Sequence, residues 1–418
     1  MAEVRPIPAL HYDLDAVGSL TDVTAPPYDV IDAEKRAALL ARSPFNVVEL
    51  DLPQAGAGGD PYTHAAETLE EWRMEGILVQ DREPSLWALV QEYTAPDGAR
   101  HSRHGIFARV RVEDYGPGRI RPHERTQPGP KRDRLELTRA TRTNLSAIFA
   151  LSSTDAWPDI EPATSEDPWG EVTDEDDTVH RVWRVTDPAV HEAVAATLAP
   201  AELLIADGHH RYETARTYAE EIEGDGPHRY TMICITGLAD PGLTVFPTHR
   251  LLSGLGDPDR RSRLRNGLHE LFEVEDVGLD GLDPAGEQST GVFGLHYAAS
   301  DEALRLRLRD TTKLDALLDG KPEAYRRLDA VILETLVLKD LLGMSEDDIA
   351  AKRGIGYAKS ISESLIALES GPYDAAFLLR PTPVEAVRAV AEAGETMPPK
   401  STYFFPKLLS GIVFNPLG

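Results

Sequence analysis

The sequence predicts a mixed α/β or α+β fold, and three observations carry that reading. Segments with helical apolar spacing alternate with short extended runs along most of the chain. Turn signals such as Pro-Asp-Gly at 96–98 punctuate the runs. The 418 residues, 41% of them apolar, are enough for a large core or for two to three packed units.

The elements follow in order. Residues 1–50 hold turns, a short helix in "DAEKRAALLARS" and an extended segment, "NVVELDLP". "DPYTHAAETLEEWRMEGIL" has helical spacing. "SLWALVQEYTA" and "RHSRHGIFARVRVED" flank the Pro-Asp-Gly turn and read as a β-hairpin. A basic, turn-rich stretch from 120 ends in a strand, "NLSAIFALSS", and the acidic residues 153–178 read as an excursion or edge loop. "VHRVWRVTD" alternates like a strand, and "PAVHEAVAATLA" is a helix opened by proline. "AELLIA" is a buried strand; "HRYTMICITGL" and "LTVFPTHRLL" read as neighbouring strands. From about 260 the predicted order is helix and strand ("RSRLRNGLHELFEVEDV"), a hairpin ("TGVFGLHYAAS", "EALRLRLRD") and a helix ending at glycine ("YRRLDAVILETLVLKDLLG"). "SISESLIALESG" (helix), "DAAFLLR" (strand), "PVEAVRAVAEAG" (helix) and "STYFFPKLLSGIVFNPL" (loop and last strand) complete it. The expected organisation is an N-terminal α/β region over 1–120, a core over 121–255 and a C-terminal α/β region over 256–418.

Composition narrows the function. Net charge is −27, and only nine of the cationic residues are lysine. Such a surface repels phosphodiester backbones, which argues against broad nucleic-acid binding but leaves room for a local basic pocket. No apolar run approaches the ~18 residues of a membrane span, and no apolar h-region marks a signal peptide. Cys234 is the single cysteine, so neither an internal disulfide nor a cysteine-rich zinc site is available. A cytoplasmic protein without membrane or nucleic-acid partners is expected, its oligomeric state open.

The junction "LLIADGHHRYETARTYAEEIEG", residues 203–224, concentrates the chemistry. A strand runs into Asp207-Gly208, and a helix starts near His209. Gly208 permits a tight turn and close approach of a ligand. A helix start is an anion site by its unpaired N–H groups and dipole. His209, His210 and Arg211 place donors at the same end, where cations oppose the dipole unless an anion is bound. Asp207 is read either as the N-cap or as a catalytic or metal-linked acid. Tyr212, Ala215, Tyr218 and Ala219 have core spacing. The glycine patterns of a P-loop or dinucleotide fold are absent.

Two further clusters stand out. "IRPHERTQPGPKRDRLELTRATRTNL" (120–145) is a basic island; Glu124 is a candidate general base, Lys131 and Arg134 candidate phosphate ligands, and Asn144 a turn or pocket residue. The other reading of this island is a solvated loop with ion pairs. "MPPKSTYFFPK" (397–407) puts Lys400, Ser401 and Thr402 in a Pro-bounded loop, as phosphate or carboxylate ligands or as part of a rigid loop packed by Tyr403, Phe404 and Phe405. "PPYDVI" and "FPTHRLL" add Asp29, His249 and Arg250 as weaker candidates.

The set "PPYDVI", "RPHERT…KRDRLELTRATRTN", "ADGHHRYETA", "FPTHRLL" and "MPPKSTYFFPK" resembles the DUF1015 family over nearly the whole chain, a likeness that supplies no activity. "DGHHR" at a strand-to-helix turn with an upstream "PHE" is similar to the ParB/sulfiredoxin-like free-serine kinases. That resemblance implies a ParB-like core carrying both motifs, with added α/β elements at either end and the 397–407 loop completing the site. It implies Glu124 as base on a hydroxyl, Asp207 as a catalytic or Mg²⁺-linked acid, and Gly208, His209, His210 and Arg211 around phosphate. ATP or ADP would be the donor, with Mg²⁺, and the acceptor a small molecule, free L-serine first, yielding O-phospho-L-serine. Arg125, Arg250 or Lys400 would meet an amino-acid carboxylate. Phosphoryl transfer asks mainly for positioning and charge neutralisation, which a cationic turn supplies. Two other classes stay open: a metal-dependent phosphatase or other hydrolase using Asp207, His209, His210 and His123, and a non-catalytic nucleotide-binding switch module.

Overall fold

Residues 203–207, LLIAD, are apolar until the final position, and they form a strand buried through Ala206. A run this apolar needs cover on both faces. The computed structural model, which describes residues 2–418 apart from 56–58, 96–97, 118, 125, 127, 299 and 301, provides it within a nine-stranded sheet. The order is Ile120–Arg121, Leu203–Asp207, Ile148–Ser152, Tyr230–Gly237, Arg100–Arg111, Leu86–Thr94, Val179–Val185 and Gly170–Thr173, with Val4–Arg5 added beside Arg100–Arg111. Leu203–Asp207 runs parallel to Ile120–Arg121, and Ile148–Ser152 parallel to Tyr230–Gly237; the other pairings are antiparallel. The architecture is a mixed α/β one.

The predicted hairpin is present, with Trp87 opposite Phe107 and Thr94 opposite Arg100. One face of the sheet carries Ile106, Ala108, Ile148, Ala150, Ile205, Ile233 and Ile235 into a core closed by Val194, Leu198 and Tyr212 from two helices. Tyr212, Ala215, Tyr218 and Ala219 are buried, as their spacing predicts.

The chain divides into two compact units. The first comprises Met1–Pro122, Thr126–Leu243 and Pro406–Gly418; the second holds Thr244–Phe405 together with His123 and Glu124. A boundary at residue 120 therefore cuts through the large sheet, because extended segments on both sides of it pair with one another. The second unit is built on a six-stranded antiparallel sheet, ordered Phe272–Asp276, Ala303–Leu308, Val292–Tyr297, Ala375–Leu378, His249–Leu252, Ile355–Ala358. Its main core joins Phe272, Phe293, Leu306 and Phe377 to Leu333, Leu336 and Val337 of a π-helix, Leu333–Leu341.

Four local expectations are corrected. "NVVELDLP" is not extended: Val48–Asp51 is a helical turn, because the buried Asn46 accepts from Val48 N–H at 3.0 Å and donates to Asp22 O and Thr24 O. Pro128–Thr141 is a helix, not a solvated loop. The acidic excursion contains a strand, Gly170–Thr173, paired to Val179–Val182. "HRYTMICITGL" and "LTVFPTHRLL" are not neighbours; the first lies in the nine-stranded sheet, and the second breaks at Pro247 into Thr244–Phe246, paired with Tyr403–Phe405, and His249–Leu252. Proline has no N–H to continue a ladder. Among the described residues, no helix is long and apolar enough to cross a membrane.

Phe293 is fully buried, its ring edge-on to Phe272 at 6.0 Å. Phe293→Ala should destabilise the second unit by about 3–5 kcal/mol, read as a lower denaturation midpoint.

Candidate functional site

The junction after Leu203–Asp207 is shaped by two backbone irregularities. The register with Ile148–Ser152 shifts between Ile205 and Asp207. A bulge of this kind re-aims the side chain that follows it. Gly208 then takes a left-handed conformation, φ 93° and ψ 28°, and serves as the helix N-cap with no side-chain cap bond. The reading of Asp207 as N-cap is therefore corrected: the cap is Gly208, and Asp207 is the last strand residue.

The Asp207 carboxylate instead accepts from Lys407 Nζ at 2.8 Å, with Arg211 Nη2 at 3.8 Å from its other oxygen. Burial pushes this carboxyl upward, but Lys407, then Arg211 and His209, outweigh it and hold Asp207 well below the usual carboxylate range. Lys407 is itself placed by a buried hydrogen-bond system. Arg103, 1% exposed, donates from Nε to Gln91 Oε1 at 2.9 Å and from Nη2 to Pro406 O at 2.5 Å; Gln91 Nε2 donates to Lys407 O at 3.2 Å. Burial lowers the Arg103 guanidinium to about 10, and it lies 4.5 Å over the Phe149 ring.

Arg211 spans the turn. It donates from Nη1 to Ala147 O, while its Nε is buried without a hydrogen-bond partner. A Cβ on residue 208 would stand 2.9 Å from that Nε. Glycine is thus required twice, for φ and for the guanidinium that lies across it. Arg211 lines a shallow recess, partly open to solvent, with Arg134, Asn144, Ser146, Thr214 and Thr231 among its walls. His209 is buried and His210 half-buried. Tyr212 fixes the helix through its hydroxyl, which donates to Glu113 O at 2.8 Å. Lys131, in the first turn of Pro128–Thr141, accepts at its carbonyl from Thr214 Oγ1 at 3.4 Å, so its backbone lies beside the Arg211 helix.

Several predicted ligands have internal partners. Arg134 is buried against Asp51 (2.8 Å) and Asp133 (2.7 Å) and lies over the Tyr28 ring at 4.3 Å. Burial opposes its charge, yet the two carboxylates raise its pKa overall. Its phosphate role is corrected to a structural ion pair lining the recess. Asn144 accepts from Met232 N–H and Asn415 Nδ2, tying the strands behind the recess. Asp29 is exposed on a short turn, Tyr28–Val30.

In the second unit, Glu124 bridges to Met397, and His123 Nε2 meets Thr402 Oγ1 at 2.9 Å. Arg250, 4% exposed, donates to Thr248 O at 2.6 Å and lies 4.9 Å over the Tyr357 ring opposite it in the sheet. Burial pulls the Arg250 pKa down, while Tyr357, Glu334 and Glu124 act against that. Lys400, at φ 58°, contributes to the field at Tyr357. His249 points to the opposite sheet face from Arg250; burial pushes it down to about 4, so it is neutral, and its Nδ1 accepts from Leu379 N–H at 3.1 Å. Ser401 donates to Pro398 O at 2.7 Å inside the loop. These contacts give His249 Nδ1 and the Ser401 hydroxyl internal partners. Arg125 lies outside the described residues.

The structure thus gathers Asp207, Gly208 and Arg211 in one unit, and Glu124, Arg250 and Lys400 in the other. Sequence reasoning missed Lys407, Arg103 and Gln91. The scarcity of lysine, with two in residues 397–407, was the available signal for Lys407.

A family model described as "Protein of unknown function (DUF1015)" matches residues 4–331. The chain belongs to the DUF1015 family. Among solved structures it is similar to a conserved hypothetical protein from Pyrococcus furiosus, at 14% identity over 71% of this chain and 90% of that one, with a TM-score of 0.37. It is similar to a free serine kinase in complex with AMP, at 13% identity over 71% of this chain and 86% of that one, with a TM-score of 0.38. A third likeness is to SbnI with a C-terminal truncation from Staphylococcus aureus, at 11% identity over 73% and 85%, with a TM-score of 0.37. No curated protein matches the chain.

The Asp207–Lys407 pair has a definite pH signature. A carboxyl depressed in the folded state adds stability above its unfolded pKa and loses it as pH falls through the folded value. Lys407→Met should therefore cost about 1.5–3 kcal/mol at pH 7 and less at pH 3, measured by denaturant titration at both pH values.

Proposed function

We propose that this chain is a nucleotide-dependent small-molecule kinase whose phosphate-binding element is the turn at Gly208. One observation carries the reading: a left-handed glycine opens a helix with no side-chain cap, flanked by Arg211 with an unpartnered buried Nε and by Lys407. A helix start with two cations and a glycine is suited to polyphosphate oxygens. Lys131 is at hand in the neighbouring helix. Asp207, held ionised between cations, orients Lys407 and Arg211 and is poorly suited to take a proton. Its oxygens face those cations, and among the described residues no three His, Cys, Asp or Glu side chains are grouped to hold a metal. The donor set therefore does not fit a protein-held Mg²⁺.

The base role goes to Glu124, as the resemblance to free-serine kinases implies, with the ParB-like core as the frame. The favoured acceptor is the hydroxyl of a small amino acid, L-serine first, and ATP or ADP the donor. Arg250 supports an anionic acceptor: among the described residues it has one hydrogen bond and no carboxylate at ion-pair distance. A buried cation left in this state favours an incoming carboxylate.

The test is incubation with ATP or ADP and a panel of hydroxyl compounds, followed by phosphorus NMR. Phosphorylation of a small molecule supports the proposal; nucleotide binding without transfer to any hydroxyl supports the switch module instead. Arg211→Ala should weaken nucleotide binding by about 1.5–3 kcal/mol, measured by calorimetry. Glu124→Gln should abolish transfer and leave nucleotide affinity unchanged; equal loss of both removes Glu124 from the base role.

A further inference from the structure

A second constellation lies in the first unit, on the hairpin strand Arg100–Arg111. Ser102 and His104 are two residues apart, so their side chains share one face. Ser102 Oγ–H donates to His104 Nε2 at 3.3 Å, and His104 Nδ1–H donates to Asp240 Oδ2 at 2.8 Å. The Asp240 bond fixes the tautomer, leaving Nε2 as the acceptor that a base requires. Asp240 is 7% exposed at its side chain and is itself oriented: Gly242 N–H donates to its Oδ1 at 2.9 Å, and His104 N–H to its Oδ2 at 3.3 Å. The turn bearing Asp240 presses so closely on the strand that a Cβ at 242 would come within 2.2 Å of Ser102 O. Only glycine allows that approach, and the approach brings the carboxylate to the imidazole.

We propose that Ser102, His104 and Asp240 form a nucleophile–base–acid triad acting on short-chain carboxylic esters. The arrangement meets the geometric test for an activated serine: nucleophile on base, base on an orienting carboxylate, with the first contact at the loose end of the range found before substrate binds. Beside His104 lies a narrow crevice lined by Ile106, Ala156, Trp157 and Ile235 together with Thr154 and Asp155, which limits the acyl group to the smallest, acetyl class. The Trp157 ring packs on His104 with centroids 4.6 Å apart, and its Nε1–H is buried without a partner, a donor of the kind an oxyanion takes.

In the acylation step, Ser102 Oγ bonds to the ester carbonyl carbon as its proton passes to His104 Nε2. The ester C–O bond then breaks, and the departing alcohol takes that proton. Water adds to the acyl-serine, giving its proton to Nε2; the C–Oγ bond breaks and the proton returns to Oγ. Ester and water become acid and alcohol. This activity is independent of the nucleotide reading.

The test treats the full chain with a fluorophosphonate probe and assays p-nitrophenyl acetate hydrolysis. The expected result is one adduct by intact mass, mapped to Ser102 and absent from Ser102→Ala at unchanged melting temperature. His104→Asn should slow labelling and hydrolysis at least 100-fold, with its circular dichroism spectrum unaltered. No adduct on the wild-type chain, an adduct mapped elsewhere, or labelling that persists in Ser102→Ala overturns the proposal.

Discussion

The ion pair between Asp207 and Lys407 sets the geometry of the strand-to-helix junction. An ionised carboxylate out of bulk water needs a counter-charge, and this one finds it 200 residues further along the chain. The lysine can serve because its own backbone is held: Gln91 and Arg103 grip the carbonyls of Lys407 and Pro406 from adjacent strands. Arg103 in turn is held by Gln91 and by the face of Phe149, with no carboxylate at ion-pair distance among the described residues. A single acid thus stands among several cations, and the positive end of a helix opens on the same turn. Local charge at Gly208 is positive in a chain whose net charge is −27.

That junction was legible because its signals are local. An apolar run, an Asp-Gly pair and a polar helix start occupy consecutive positions, and strand, left-handed glycine and helix appear where they predict. The β-hairpins were legible for the same reason, since alternation and turn chemistry lie within a dozen residues. What escaped depends on distance or burial. Asn46 replaces an extended segment with a turn by bonding backbone some twenty residues away. Arg134 sits in a basic stretch that reads as a phosphate site until its partner Asp51, 83 residues earlier, is seen. Lys407 shows the same limit from the other side: its neighbours in sequence say nothing of the strand end it neutralises.

The second unit shows how one cation can be buried with little compensation. Arg250 sits on a sheet face between an aromatic ring and a helix. That helix is wound as π, a geometry that places residues five apart on one line, and Glu334 accordingly pairs with Lys339 at 2.8 Å. Widened helical turns of this sort recur at functional positions. Glu334 thus pairs with its lysine and also contributes to the field at Arg250, whose guanidinium makes one hydrogen bond among the described residues.

The order in which the first unit acquires its parts has a consequence for biogenesis. Residues 244–405 interrupt it, and only residues 406–418 return to supply Lys407, the Ala25–Ser410 and Leu10–Phe414 bridges, and the strand beside Thr143 and Asn144. During synthesis, Asp207 leaves the ribosome long before its lysine exists. Until then its carboxylate lacks that partner, which arrives only after the whole intervening unit has been translated. Such a chain can complete the Gly208 turn only once residue 407 has been made, and a message cut short after residue 405 would yield a sheet without its keystone charge.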